Sequence, residues 1–307
     1  MFKYTLDNKR YYTLNYYYKT KYNSKVFKVS LNANFGCPNK KNGGGCIYCL
    51  NGSGENRGMD LIEQFIKVRD IMSKKWPDSK YIGYFQADTN TYAPLEVLKE
   101  NYEKILKLDN VVGLNIATRC DCLPNDVLDY LEELSKRTNL TIELGLQTIH
   151  ETTSKLINRG HTLKQFENAV LELRKRNINV VVHVINGLPY ETKEMMLETI
   201  KYVSHLDIQG IKIHMLFVLK GTELEKLYKK EKFHILTREE YVNIVCDELE
   251  LLREDIVINR ITGDPDKNLV IEPTWLIKKF GVLNEIDKEM ERRNSYQGIK
   301  YEDILDK

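Results

Sequence analysis

Cys37, Cys46 and Cys49 fall within the stretch CPNKKNGGGCIYC, with eight residues between the first pair and two between the second. Cysteines this dense bind soft metal centres as thiolates. Structural zinc sites usually bring four ligands, often as two Cys pairs, and here the fourth is missing locally. A Cys-x-x-Cys pair with one more cysteine upstream, on a glycine-rich loop, suits a [4Fe–4S] cluster held at three irons, with the fourth iron open to a further ligand. Gly43, Gly44 and Gly45 let the chain turn tightly and bring backbone N–H groups toward the cluster sulfides. The same spacing also admits a three-cysteine zinc site completed by His161 or His183.

The elements that must position this loop are legible as a rhythm. Apolar, β-branched runs at 26–33, 81–87, 111–118, 141–148, 180–186 and 211–219 read as six strands. Between them lie stretches such as MDLIEQFIKVRDIMSKK and TLKQFENAVLELRKR, with apolar residues three and four apart, and Pro124 and Thr192 stand where helices can start. Strand–helix alternation implies parallel strands with right-handed crossovers, as an open sheet or a barrel, complete or partial. Both architectures bind ligands at the carboxyl ends of the strands, and the cysteine loop follows the first strand.

Composition narrows the class. With 307 residues, 42% hydrophobic and 29% charged, the chain can bury a large core and is neither disordered nor fibrous. No apolar run is long enough to span a membrane and no secretion signal opens the chain, so a cytoplasmic location is expected. In a reducing compartment six cysteines do not build a disulfide framework. A net charge of +2 is too small to argue for nucleic acid by itself. The first 28 residues nevertheless hold seven Lys or Arg against the single acid Asp7, interleaved with tyrosines. Such a surface can attract phosphates and stack on unpaired bases; a tyrosine-rich extension packed under the barrel is the other reading.

Seven blocks in order carry a resemblance: CPNKKNGGGCIYC, YFQADTNTYAP, ATRCDCLP, ELGLQTIHETTSKLINRGH, HVINGLPYET, KGTELEKL and ITGD. Over nearly its whole length the chain resembles the radical S-adenosylmethionine (SAM) enzymes of the YtqA/YhcC-like subgroup. The resemblance implies an α/β fold, a partial (β/α)6 radical SAM barrel over 26–219, with an N-terminal extension (1–25) and a C-terminal elaboration (220–307) closing it. It implies that Cys37, Cys46 and Cys49 ligate a [4Fe–4S] cluster whose fourth iron is chelated by SAM. Reduction then cleaves SAM to methionine and a 5′-deoxyadenosyl radical that abstracts hydrogen. Tyr48 matches a residue packing near the adenine, Phe85 and Gln86 a contact to the SAM amino group, and Gln147, Arg159 and His183 contacts to the ribose or the methionyl carboxylate. Arg159 is the chemically best suited of these, because a guanidinium pairs a carboxylate bidentately. The family pattern expects a proline where Cys120 stands; Cys120 and Cys122 are expected to be ordinary thiols near the site, and Cys246 a core residue.

The subgroup is associated with the tRNA anticodon loop, where it converts wobble 5-carboxymethylaminomethyl-2-thiouridine to the 5-aminomethyl form, with a low-potential electron donor such as flavodoxin or ferredoxin. Asn90, Tyr92, Arg119, Arg260, Asp264 and Trp275 match the family pattern at strand ends or in the closing segment and are expected substrate contacts. Two other functions fit part of the sequence. ELGLQ, NRGH and NGLP also resemble oxygen-independent coproporphyrinogen oxidases, and a non-enzymatic zinc or cluster-binding RNA module would use the same cysteines.

Overall fold

A computed structural model describes residues 2–50, 58–275 and 279–302. One parallel sheet runs in chain order through β1 (Val26–Leu31), β2 (Lys80–Phe85), β3 (Val111–Thr118), β4 (Asn139–Gln147), β5 (Asn179–Asn186), β6 (Gly210–Met215) and β8 (Val257–Arg260). All six expected strands are present, and β8, from the segment VINR, makes a seventh beside β6. A short antiparallel pair, β7 (Val218–Leu219) and β9 (Val270–Glu272), stands apart.

Helices fill the crossovers: α2 (Pro38–Gly43) and α3 (Leu61–Lys75) after β1, α4 (Leu95–Leu106) after β2, α5 (Asn125–Arg137) after β3, α6 (Glu151–Leu156) and α7 (Leu163–Lys175) after β4, and α8 (Lys193–Ser204) after β5. Next come α9 (Glu223–Glu231) and α10 (Arg238–Leu251) before β8, then α11 (Lys279–Arg292), while α1 (Leu14–Tyr22) precedes β1. Their starts follow local chemistry. Asp60 accepts from the N–H groups of Ile62 and Glu63, and Thr162–Gln165 and Thr237–Glu240 form capping boxes. Pro124 and Thr192 are both N-caps.

The sheet curls into a half-barrel. Lys28 on the first strand reaches Asn259 on the last at 3.2 Å and Glu143 on the central strand at 3.0 Å, which a flat sheet of this width forbids. Strands covered on both faces read as almost unbroken buried runs, as in β2. Outward residues such as Tyr81, Phe85, Leu114 and Ile142 form the main core with the helices. A second, smaller core of Ile157, Leu188, Leu216, Val218, Leu224 and Phe233 receives Ile47 and Tyr48 of the cysteine loop.

The N-terminal extension closes the barrel at its amino end. Thr13 bridges to Ile258, Tyr22 Oη reaches the Val112 carbonyl at the start of β3, and Lys21 bonds the Asn139 side chain at the start of β4. Tyr11 and Tyr18 are buried, and Tyr4 stacks on Tyr12 with ring centres 4.4 Å apart. Lys3, Lys9 and Lys25 are engaged by Glu254, Asp287 and Asn15. Tyr11 and Tyr18 thus serve packing at the end opposite the cysteine loop, the other reading of this extension, while Tyr4, Tyr12, Tyr16 and Tyr17 are half-buried and Lys19 is exposed. Apolar ring area is better satisfied against the sheet than in water. Of the basic residues around Trp275, Lys278 lies outside the described residues.

Candidate active site

The cysteine loop leaves β1 at its carboxyl end and is tied to the loop between α6 and α7. Asn39 Nδ2 donates to the carbonyls of Asn158 (2.7 Å) and Arg159 (3.3 Å), and Asn158 Nδ2 donates back to those of Gly43 (2.6 Å) and Gly45 (2.7 Å). Ile47 N–H donates to the Ile157 carbonyl and Leu224 N–H to that of Ile47. Gly45 has φ +83°, and a Cβ there would stand 2.9 Å from Lys40 Cγ; only glycine fits this turn. Asn39 and Asn158, which hold the loop in place, are positions that the sequence reading passed over.

The three thiols are free and lie within electrostatic reach of one another. Burial pushes the Cys46 thiol up, against the Tyr48 hydroxyl and Arg119; burial also raises Cys49, against Lys40. Lys40 is held by the Leu50 carbonyl at 2.8 Å and Asp88 at 3.1 Å. Asn39 Nδ2 approaches Cys46 Sγ at 3.6 Å, the kind of outer-shell contact that tunes a thiolate ligand. Among the described residues no three His, Cys, Asp or Glu side chains converge on a single-ion site. Three cysteines that each serve a different iron need no such convergence. His161 and His183 turn elsewhere, to the Thr162 carbonyl (3.4 Å) and to Glu143 Oε2 (2.8 Å).

The residues expected to contact SAM divide into two groups. Tyr48, Gln147 and His183 line one cavity of about 230 Å³, together with Ile185, His214 and Phe217. Gln147 sits at the end of β4 with φ +62°, and Gln86, at the end of β2, accepts from Ser30 Oγ at 3.0 Å. Phe85 is different: its ring points outward onto Tyr102, with centres 4.9 Å apart, so only its backbone meets the edge. Its carbonyl accepts from Asn90 Nδ2 at 3.0 Å. Alternation along β2 explains this, since Tyr84 faces inward and its neighbour must face out.

Arg159 is 1% exposed and its donors are largely spent. Nη1 donates to the carbonyls of Leu146 (2.7 Å) and Thr148 (2.6 Å), and Nε to that of His161 (3.1 Å). Nη2 is buried with no hydrogen bond. Burial lowers the guanidinium pKa, partly offset by Glu151. A bidentate clasp on a carboxylate is therefore not open to Arg159: it holds the strand end, with one nitrogen spare.

Among the expected substrate contacts, Asn90 is fully buried and clamps β2 to β3 through the Phe85 and Ala117 carbonyls. Trp275 donates to the Leu236 carbonyl at 3.0 Å and packs near Tyr241. Both side chains are thus engaged within the fold. Tyr92 and Asp264 are exposed at the edge. Arg119 donates to the carbonyls of Arg159 (2.8 Å) and Gly160 (3.1 Å), pairs with Asp121, and lies in electrostatic reach of Cys37 and Cys46. Arg260 faces the barrel interior beside Tyr84, Lys212 and His214. Cys120 is buried in the main core and Cys122 half-buried, and burial pushes both thiols up to about 12. Cys246 is a core residue of α10.

The half-barrel and its strand-end cysteine loop define a class, and the comparisons agree. The Radical SAM superfamily matches residues 31–203 and the Radical_SAM C-terminal domain residues 208–292. The chain belongs to the radical SAM superfamily and is an enzyme of that class. It is 52% identical over 304 residues to YtqA of Bacillus subtilis (strain 168), covering 97% of this chain and 94% of that one. Protein YhcC of Escherichia coli (strain K12) is 30% identical over 275 residues, covering 87% and 88%. The tRNA uridine(34) acetyltransferase of Methanocaldococcus infernus is 26% identical over 186 residues, which is 59% of this chain and 34% of that protein. The structure of archaeal Methanocaldococcus infernus Elp3 with an N-terminal deletion superposes with a TM-score of 0.70 at 18% identity, covering 89% of this chain and 64% of that one. At that identity the likeness is one of fold. Among the described residues no helix is long and apolar enough to cross a membrane.

Proposed function

We propose that this radical SAM enzyme acts on wobble uridine of tRNA, converting 5-carboxymethylaminomethyl-(2-thio)uridine to 5-aminomethyl-(2-thio)uridine. The observation that carries the reading is a juxtaposition: a loop of three free cysteines roofs a cavity of about 230 Å³ lined by Tyr48, Gln147, His183 and His214. Kinship with tRNA uridine(34) acetyltransferases supports the substrate class.

Cys37, Cys46 and Cys49 would hold a [4Fe–4S] cluster, and the strand-end edge with Gln86 and Gln147 would hold SAM. When bound, these cofactors supply the 5′-deoxyadenosyl radical. The chain's own work is to place and shield. The Asn39–Asn158 reciprocal bonds fix the loop over the cavity, Tyr48 adds a hydroxyl beside Cys46, and Ile47 seals the loop against the second core. Keeping water from a reactive intermediate is a recognised role of such closure. The electron enters from a low-potential donor of the flavodoxin or ferredoxin kind.

Mass spectrometry of tRNA nucleosides tests the reading. Cells lacking this protein should accumulate 5-carboxymethylaminomethyl-2-thiouridine and lose the 5-aminomethyl form; an unchanged nucleoside profile overturns it. Anaerobic reconstitution of the Cys37→Ala, Cys46→Ala and Cys49→Ala variants tests the ligands. Each should lose the broad visible absorption of the cluster and reductive SAM cleavage, and a triple variant that still cleaves SAM removes them.

A further inference from the structure

Inside the half-barrel, Glu143 is the hub of a buried polar cluster. Its Oε1 accepts from Lys28 Nζ at 3.0 Å and Asn115 Nδ2 at 2.7 Å; Oε2 accepts from His183 Nε2 at 2.8 Å and from Lys212 Nζ. Lys212 also donates to Tyr84 Oη at 2.6 Å. Four donors fill the capacity of a carboxylate, so Glu143 has nothing left for a ligand. Burial raises its pKa, but Lys212 first and then Lys28 hold it well below the usual carboxylate range.

The charges around it do not balance. Lys28 and Lys212 pair with this one carboxylate, and Arg260, the partner of Lys212 across the sheet, adds a further cation beside them, a surplus of two positive charges when both lysines are protonated. Lys212 is 3% exposed, and burial, with Lys28 and Arg260 adding, brings its pKa down to about 7. His183 and His214 stand 5.7 Å apart, and both are held neutral by burial first and then by cationic or imidazole neighbours. Among the described residues the Arg260 side chain has no hydrogen-bond or ion-pair partner. Arg260 is half-buried, so its attraction for an anion is screened less than at an open surface.

The same two imidazoles line the cavity beneath the cysteine loop. Lys212 and His214 lie two apart on β6 and share its inward face, and Arg260 is the partner of Lys212 across the sheet. We infer that Arg260 and Lys212, beside the His214 wall of this cavity, form a recognition site for an anionic group of the substrate, a carboxylate or a phosphate. The anion supplies the missing counter-charge, with Arg260 offering its unused guanidinium donors and Lys212 lying beside it. The inference rests on the cavity being the substrate pocket and does not require the substrate to be tRNA.

Titration calorimetry on the anaerobically reconstituted enzyme with SAM tests it, using three probes. 5-Carboxymethylaminomethyluridine carries a carboxylate and no phosphate, uridine 5′-monophosphate the reverse, and 5-aminomethyluridine neither. One anionic probe should bind at least about tenfold tighter than 5-aminomethyluridine, the scale of a charge-assisted hydrogen bond. A carboxylate preference assigns the anion to the base modification, and a phosphate preference assigns it to the backbone. Arg260→Gln should erase the preference and Arg260→Lys restore part of it. Lys212→Met should act likewise, but it strips a partner from Glu143, so Arg260→Gln carries the decision. Thermal unfolding gives a readout free of any nucleoside: millimolar acetate or inorganic phosphate should raise the Tm of wild type and leave that of Arg260→Gln unmoved. Neither anion stabilising the wild type, or equal stabilisation of the variant, overturns the site. An unchanged tRNA profile alongside Arg260-dependent anion stabilisation would sink the wobble-uridine reading alone.

Discussion

Gly160 lies directly against Asn39: a Cβ on Gly160 would come within 2.5 Å of Asn39 Oδ1, and the glycine's φ is +79°. Asn39 is the residue that joins the cysteine loop to the loop between α6 and α7 and approaches Cys46 Sγ. The glycine of NRGH is thus a clearance between two segments, one carrying thiols and the other carrying Arg159. Gly160→Ala must push Asn39 aside and strain a left-handed backbone, at about 1–2 kcal/mol for the backbone alone. The variant should fold with the wild-type far-UV spectrum, unfold at lower urea, and retain less iron after reconstitution. Full iron content at an unchanged midpoint would show the contact to be slack.

Arg159→Met should lower stability in the absence of SAM. The guanidinium serves the Leu146, Thr148 and His161 carbonyls, and each orphaned buried acceptor costs about 1–3 kcal/mol. We expect a loss of at least about 2 kcal/mol in urea unfolding of SAM-free protein. A variant as stable as wild type, with weakened SAM affinity, would return Arg159 to a ligand-contact role.

The strands and the cysteine loop were legible because hydrophobic periodicity and ligand spacing are local signals. Pro124 and Thr192 behave as the helix starts their chemistry implies. The barrel interior was not legible. Lys28, Glu143, His183 and Lys212 lie on four strands and meet only when the sheet curls. Their signal was polar residues at inward positions of otherwise apolar strands, in VFKVS, TIELG, VVVHV and IKIHM. Arg159 and Phe85 misled for a related reason: a residue's place near a strand end does not say where its side chain is spent. Four of the N-terminal lysines likewise read as phosphate contacts until Glu254, Asp287, Asn15 and Asn139 came into reach through tertiary packing.

Deleting residues 1–22 should destabilise the whole barrel. Tyr11 and Tyr18 are buried in it, and burial of a large side chain stabilises by about 1.5–3 kcal/mol. The truncated chain should melt at least about 5 °C lower and lose SAM cleavage with it. A truncation that keeps its Tm and SAM cleavage while losing salt-sensitive tRNA binding would restore the extension as an RNA surface.

His183 gives stability a pH dependence whose sign is fixed. Burial first, and Lys212 next, bring its pKa from 6.5 to about 4. Between those values the unfolded chain carries a proton that the folded chain refuses, so unfolding free energy rises with pH across the window. The contribution is fully present above about 6.5 and is lost as pH falls toward 4. His161, also lowered to about 4 by burial, acts in the same direction. Lys212 titrates above this window, and Glu143, held well below its usual range, beneath it. His183→Gln keeps an amide donor for Glu143 and removes the titration. Urea unfolding at pH 7, 6 and 5 should show stability falling more steeply with falling pH in wild type than in the variant. The difference between the two isolates His183 from His161 and His214 and from Glu248, whose carboxyl burial raises to about 8 and which acts in the opposite direction. Parallel slopes in the two proteins would mean that His183 takes up its proton in the folded barrel as readily as in the unfolded chain.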